Sequence, residues 1–379
     1  MDYAARMQTL RHRLRDSGLP LLLVTHLPNI RYLTGFSGSA AILAVWPDKA
    51  RFWSDGRYRE QARIEVRGAR VTIPRGSIDA AAAEAIRSAR RVGIESGYLS
   101  LQRAEQLLGG LRRARAVGNW IEAQRAVKDP AETAAIRSAV ELASGVFGRL
   151  MRQLRPGMAE TEIAGRLEFA LRQAGGEGLA FDSIVAAGPN SALPHAHPGK
   201  RRLKPHEPLL LDYGVRLAGY CSDMSRTVCL GKAPPRLREI YAAVLESQLA
   251  GIAAVRAGVE VAVVDEACRA VLRRARLAKY FVHSTGHGLG LEIHEPPRIA
   301  AAGSPRRPAR QKPGGPARRR AAAPAAETPP VCLETGQIVT IEPGVYIPGW
   351  GGVRIEDVVR VTPRGAEILT PTPKSLIEL

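Results

Sequence analysis

Two stretches of this chain repeat one costly pattern, a carboxylate on each arm of a strand–turn–strand segment. In "PLLLDYGVRLAGYCSDMSRTVCLG" (208–231), Asp212 and Asp223 are equidistant from a turn near Leu217-Ala218-Gly219. In "QIVTIEPGVYIPGWGGVRIEDVVRVT" (337–362), Glu342 and Glu356 each lie seven residues from Gly349. Equidistant residues of an antiparallel hairpin face each other on one side of the sheet. Two carboxylates about 4 Å apart repel by roughly 4 kcal/mol at an effective dielectric near 20. The neighbours are apolar, so water screens them poorly. Any one of these acids, taken alone, reads as a surface carboxylate. Two pairs in matching positions predict bound cations: four negative charges balance two divalent metals.

"STGHGLGLEIHE" (284–295) supplies a nitrogen donor. His287 is surrounded by Gly286, Gly288 and Gly290, and His294 follows seven residues later. That spacing does not share a strand face, and three glycines oppose a helix. Glycine in a strand marks a bulge or a close backbone approach. His287 is therefore expected to point at something the backbone crowds against, with His294 reaching the same place from another piece of chain. Four oxygen-donor residues and one imidazole suit Mn²⁺ first, with Co²⁺, Zn²⁺ or Fe²⁺ as alternatives. Two such ions close together lower the pKa of a shared water and hold it as hydroxide.

The length of 379 residues accommodates two domains. Residues 1–124 alternate strand-like runs ("LPLLLVTH", "AAILAVWP", "ARFWSD") with helical ones ("QARIEVRG", "IDAAAAEAIRSARR"), which predicts an α/β domain. A new helix opens after residue 125, with Asp129 as cap, Pro130 in the first helical position and Glu132 closing a capping box. Residues 125–379 form the second domain, where strands dominate apart from a helical region near 235–275. Within it, "SPRRPARQKPGGPARRRAAAPAAETPP" (304–330) has seven prolines, seven basic residues and no Val, Ile, Leu or aromatic residue. Such a composition predicts a disordered insertion.

Cys221, Cys229, Cys268 and Cys332 form no CxxC pair and predict reduced thiols in a cytoplasmic protein. No apolar run is long enough for a bilayer. The net charge of +19 admits a nucleic-acid partner, but the arginines are dispersed through helical patterns, which predicts solvated faces instead.

Five segments, "LLLDYG", "SDMSRT", "HSTGHGLGLEIHEPP", "IEPGVY" and "GVRIED", resemble in order the signatures of the pita-bread metallopeptidases. That family includes methionine aminopeptidase, aminopeptidase P and prolidase, with creatinase as a metal-free relative. "NIRYLTGFSGSAAILAV" with "WSDGRYREQA" resembles the creatinase/prolidase N-terminal domain. The resemblance implies an α+β pita-bread fold for residues 125–379: an antiparallel sheet covered by helices, with a pseudo-twofold relation between halves. It implies metal ligands at Asp212, Asp223, His287, Glu342 and Glu356. His294, His195, His283 and Arg354 would line the substrate pocket, and a homodimer is expected. The common "SDxTRT" is "SDMSRT" here.

An X–Pro bond has no amide hydrogen on its proline nitrogen, so its hydrolysis needs a dedicated enzyme. The resemblance implies attack by a hydroxide held between the two metals. Glu342 would shuttle a proton to the leaving nitrogen, and His294 and His195 would bind the developing oxyanion. Arg354 and His283 would sit at the carboxylate end of the peptide; for Arg354 the alternative is a salt bridge to Glu356 or Asp357. Xaa-Pro aminopeptidase (aminopeptidase P) is the first reading, with small proline-containing peptides as substrates and Xaa-Pro dipeptidase (prolidase) as the alternative. Creatinase-type amidinohydrolysis and a non-catalytic pita-bread binding protein are more distant ones.

Overall fold

The computed structural model describes residues 1–301 and 330–379. The expected insertion at 304–330 lies, except for Pro330, outside the described residues. The chain forms two units, Met1–Arg125 and Ala126–Leu379.

The first unit is a six-stranded mixed sheet with helices. Its strands are β1 (Leu22–Val24), β2 (Ile42–Val45), β3 (Ala50–Trp53), β4 (Arg70–Thr72), β5 (Val92–Glu95) and β6 (Ala114–Val117), in the order β4-β3-β2-β1-β5-β6. The central strands β1 and β2 are buried along their whole length. This matches their continuous apolar sequence, since a strand covered on both faces has no polar side to show. No helix among the described residues is long and apolar enough to cross a membrane.

The second unit opens with the helix Pro130–Met151. The Asp129 side chain accepts from the Glu132 N–H and the Glu132 side chain accepts from the Asp129 N–H, completing the capping box, a cap of about 1 kcal/mol. Ile136, Ala139, Val140, Ala143, Val146, Phe147 and Leu150 form its buried stripe. The strands that follow are β7 (Gly178–Leu179), β8 (Ile184–Ala187), β9 (Pro208–Tyr213), β10 (Val215–Leu217), β11 (Tyr220–Cys221), β12 (Met224–Cys229), β13 (Gly286–Gly288), β14 (Glu295–Ile299), β15 (Ile338–Ile341), β16 (Gly344–Ile347), β17 (Gly351–Arg354), β18 (Asp357–Val361), β19 (Ala366–Ile368) and β20 (Ile377–Glu378).

These strands build two similar halves. The helices Pro130–Met151 and Glu160–Gln173 pack on Leu209, Leu211, Tyr213, Met224 and Val228 of β9 and β12. The helices Pro235–Ala254 and Val261–Arg274 pack on Val339, Ile341, Val359 and Val361 of β15 and β18. Period-two alternation then decides what the opposite faces carry. Next to the helix-facing Leu211 and Tyr213 stands Asp212; after Ile341 comes Glu342. Asp357 and Glu356 are adjacent but serve opposite faces. Asp357 accepts from Gln248 on the helix side and pairs with Arg226, while Glu356 points the other way. One face of each half is thus an apolar helix-covered core, and the other is where the carboxylates collect.

Candidate metal centre

The first hairpin turns through Ala218 (φ 50°) and Gly219 (φ 81°), between the paired residues Leu217 and Tyr220. Positive φ at both central residues is the two-residue turn that matches strand twist. It centres the hairpin between those two residues, so Asp212 pairs with Ser225. The expectation that Asp212 and Asp223 face each other directly is corrected: they share a face but are one side-chain step apart. The second hairpin keeps the expected register. Ile341 pairs with Asp357 and Gly344 with Arg354, so Glu342 stands across from Glu356. There the strands part. The Glu342 N–H donates to the Thr285 carbonyl at 2.8 Å, and the Glu356 N–H to the Ser225 carbonyl at 3.1 Å.

His287 lies on β13, which pairs with β14 through a bulge between His287 and Gly288. The flanking glycines lie against neighbouring protein atoms. A Cβ on Gly286 would overlap the Thr340 carbonyl, and one on Gly288 the Pro296 carbonyl; one on Gly290 would sit 2.7 Å from the Glu295 carboxylate. The glycines let neighbouring strands close around the histidine. His287 Nδ1 contacts its own strand at the Gly288 carbonyl, 3.0 Å away. Burial, then His294, pushes its pKa down to about 3. The ring is neutral, its Nδ1–H is donated to that carbonyl, and Nε2 presents a lone pair. That lone pair faces Asp223 Oδ2 at 3.6 Å and Glu342 Oε1 at 3.5 Å.

Acceptors facing acceptors at these distances fit a cation among them. Ligand atoms of Asp223, His287 and Glu356 all lie within 4.8 Å of one another. Asp212 Oδ1 is buried without a hydrogen-bond partner among the described residues. Without a cation the carboxyls are poorly stabilised as anions. Burial, then Glu356, pushes Asp223 and Glu342 well above the usual carboxylate range, and burial, then Asp212, pushes Glu356 up to about 8. The donor set of oxygens with one imidazole suits a divalent ion.

The expected pocket residues divide. His294 is exposed, its ring edge-on to His287 with centroids 4.4 Å apart. His195 is also exposed, in the loop after the short helix Gly188–Ala192. His283 and Arg354 are otherwise engaged. His283 Nδ1 contacts the Ser284 carbonyl and Nε2 the Tyr346 hydroxyl, each at 2.8 Å. Burial, then Arg354, lowers its pKa to about 3. Arg354 is buried and donates to the Tyr346 hydroxyl at 2.6 Å, the Ser225 hydroxyl at 2.7 Å, the Pro194 carbonyl at 3.2 Å and the Asp212 carboxylate. Its ion pair is with Asp212, neither Glu356 nor Asp357.

Sequence reasoning missed Ser225, Tyr346, Thr340 and Arg226. Ser225 donates to Glu356 Oε2 at 2.7 Å. The Thr340 hydroxyl accepts from the His287 N–H at 3.1 Å and lies 3.4 Å from Glu342 Oε1. Arg226 donates to the Glu356 carbonyl at 2.5 Å and to Asp357 Oδ1 at 2.8 Å. The period-two rule was the available signal: Ser225 is two beyond Asp223, Thr340 two before Glu342 and Tyr346 four after it.

Residues 134–363 match Metallopeptidase family M24, and residues 6–127 match the Creatinase/Prolidase N-terminal domain. The chain belongs to metallopeptidase family M24. Family M24 peptidases use divalent metals, and Asp223, His287 and Glu356, with Glu342 beside His287, form a carboxylate/imidazole group that could hold one. An Xaa-Pro dipeptidase from Bacillus anthracis is similar over 100% of both chains at 32% identity and a TM-score of 0.88. The prolidase from Pyrococcus horikoshii OT3 is similar over 98% of this chain and 100% of that one, at 28% identity and 0.87. The X-Pro aminopeptidase from Thermotoga maritima MSB8 is similar over 97% and 100%, at 29% identity and 0.82. The M24 fold of this chain is thus of the Xaa-Pro peptidase type.

Proposed function

We propose that this protein is an Xaa-Pro dipeptidase, hydrolysing the bond between an N-terminal residue and a C-terminal proline. The observation that carries this is the end-to-end likeness to an Xaa-Pro dipeptidase, at a TM-score of 0.88 over the whole of both chains. It turns round the order expected from sequence, where Xaa-Pro aminopeptidase came first. The aminopeptidase remains the second reading because the Thermotoga maritima X-Pro aminopeptidase is also similar over its full length.

Asp212, Asp223, His287, Glu342 and Glu356 would hold two divalent ions, Mn²⁺ first, which supply Lewis acidity and a water of lowered pKa. The protein's own groups supply the rest. Thr340 steadies Glu342 at Oε1, leaving Oε2 to carry a proton to the departing proline nitrogen. His294 and His195 are the exposed imidazoles that donate to the oxyanion developing on the scissile carbonyl. Arg354 and His283 act indirectly in this reading. Arg354 orients Asp212, and neutral His283 holds the Tyr346 hydroxyl that Arg354 also contacts. A cytoplasmic homodimer completes the proposal, as reduced thiols and the family resemblance suggest.

The test is a comparison of Gly-Pro with Gly-Pro-Pro-Ala. A dipeptidase cleaves the first and leaves the second intact. Release of glycine from the longer peptide, with Gly-Pro untouched, would make the protein an aminopeptidase.

A further inference from the structure

The His195 loop leaves regular structure after Ala192, yet its two ends converge on one buried carboxylate. Glu160, the first residue of the helix Glu160–Gln173, has no exposed surface. Its Oε1 accepts from the Ala187 N–H at 2.8 Å and from Asn190 Nδ2 at 3.0 Å. Its Oε2 accepts from the Gly199 N–H at 3.0 Å and from Asn190 Nδ2 at 3.1 Å. The Thr161 N–H donates to the Gly199 carbonyl at 3.1 Å. The helix N-terminus favours a negative charge at this position. From the other side, Arg354 holds the Pro194 carbonyl, and the Ser191 hydroxyl accepts from the Gly352 N–H at 2.8 Å. The segment from Ala187 to Gly199 is therefore fixed at its feet by Glu160 and near its crest by Arg354. His195 sits beside that crest.

We infer that Glu160 is a positioning residue for His195: it closes the base of the loop so that the imidazole is held over the centre. The inference rests on the role given to His195 above. A neutral amide cannot do the same work. In Glu160→Gln, an NH₂ group replaces one acceptor and must face a backbone N–H or the Asn190 amide, so one foot of the loop is released. A buried hydrogen bond to a charged acceptor is a strong one, and a small misplacement of a reacting group costs up to about 100-fold in rate.

The experiment is a double-mutant cycle on the metal-loaded enzyme with Gly-Pro as substrate. Glu160→Gln should lower kcat about 10-fold or more, with bound metal unchanged. In a His195→Asn background the same substitution should change kcat by less than about two-fold, because the group it positions is gone. An equal loss in both backgrounds, or loss of metal along with activity, would show that Glu160 supports the fold and does not act through His195. If Glu160→Gln does not fold, Asn190→Ala runs through the same cycle with the same criterion. The His195 ring NMR signal, identified by its loss in His195→Asn, provides a readout without turnover. It should broaden or shift in Glu160→Gln while the His206 signal stays put, and an unmoved His195 signal would overturn the inference. Failure of the parent enzyme on Gly-Pro would count against the proposed function and leave the NMR arm intact.

Discussion

The two carboxylate hairpins of the catalytic unit make the same kind of contribution by different geometries. In Glu342/Glu356 the acids stand across from each other, about a turn centred on Gly349. In Asp212/Asp223 they are one step out of line, because Ala218 and Gly219 both take positive φ and move the hairpin's centre. The place opposite Asp212 is taken by Ser225, which hydrogen-bonds Glu356 of the other hairpin. This one-step difference in register turns two parallel acid pairs into one connected group. Turn conformation decides which side chains share a site, even when the side chains themselves are the same.

The largest effect should come from removing what both hairpins converge on. Chelation should reduce X-Pro hydrolysis to background and Mn²⁺ or Co²⁺ should restore it; full activity in metal-free protein would mean the hairpins do not build a metal centre. Next comes the aligned hairpin. Glu342→Gln should lower kcat about 10³-fold with little change in melting temperature, and near-wild-type turnover would remove Glu342 from proton transfer. The link between hairpins should show a smaller effect. Ser225→Ala should weaken metal binding about 10- to 100-fold in a titration, whereas Ser225→Thr keeps the hydroxyl and should stay close to the parent; equal loss in both would discard the hydroxyl bridge. The turns themselves should matter least. Ala218→Gly should stabilise and Gly349→Ala destabilise, each by about 1 kcal/mol, because only glycine takes positive φ without strain. Melting temperatures moving in the same direction would refute this account of the two registers.

Much of this could be read from the chain in advance. The capping box at Asp129 and Glu132 is a local signal, and it forms as expected. The four acids were legible because they interrupt apolar runs on a face that alternation identifies. Three things were not legible. Ala218 gives no compositional hint that it adopts positive φ, so the first register was misplaced. Arg354 meets Asp212 across 142 residues of chain, and no spacing rule reaches that far. The glycines around His287 do mark close backbone approach, but what approaches is the carbonyl of Thr340 or Pro296 and the carboxylate of Glu295. Such partners are set by how the strands are finally arranged.

Ser225 and Glu356 are joined twice, once through the side chain and once through the backbone N–H, although 131 residues separate them. A growing chain has made the first hairpin, with its two aspartates, long before Glu342 and Glu356 are synthesised. An ion caught by that early piece would find neither His287 nor the glutamates, and would have little reason to stay. With the ligands proposed above, tight metal capture would report that synthesis has passed the last hairpin and that both halves have closed on each other, so a chain cut short before Glu356 would be left unloaded and inactive.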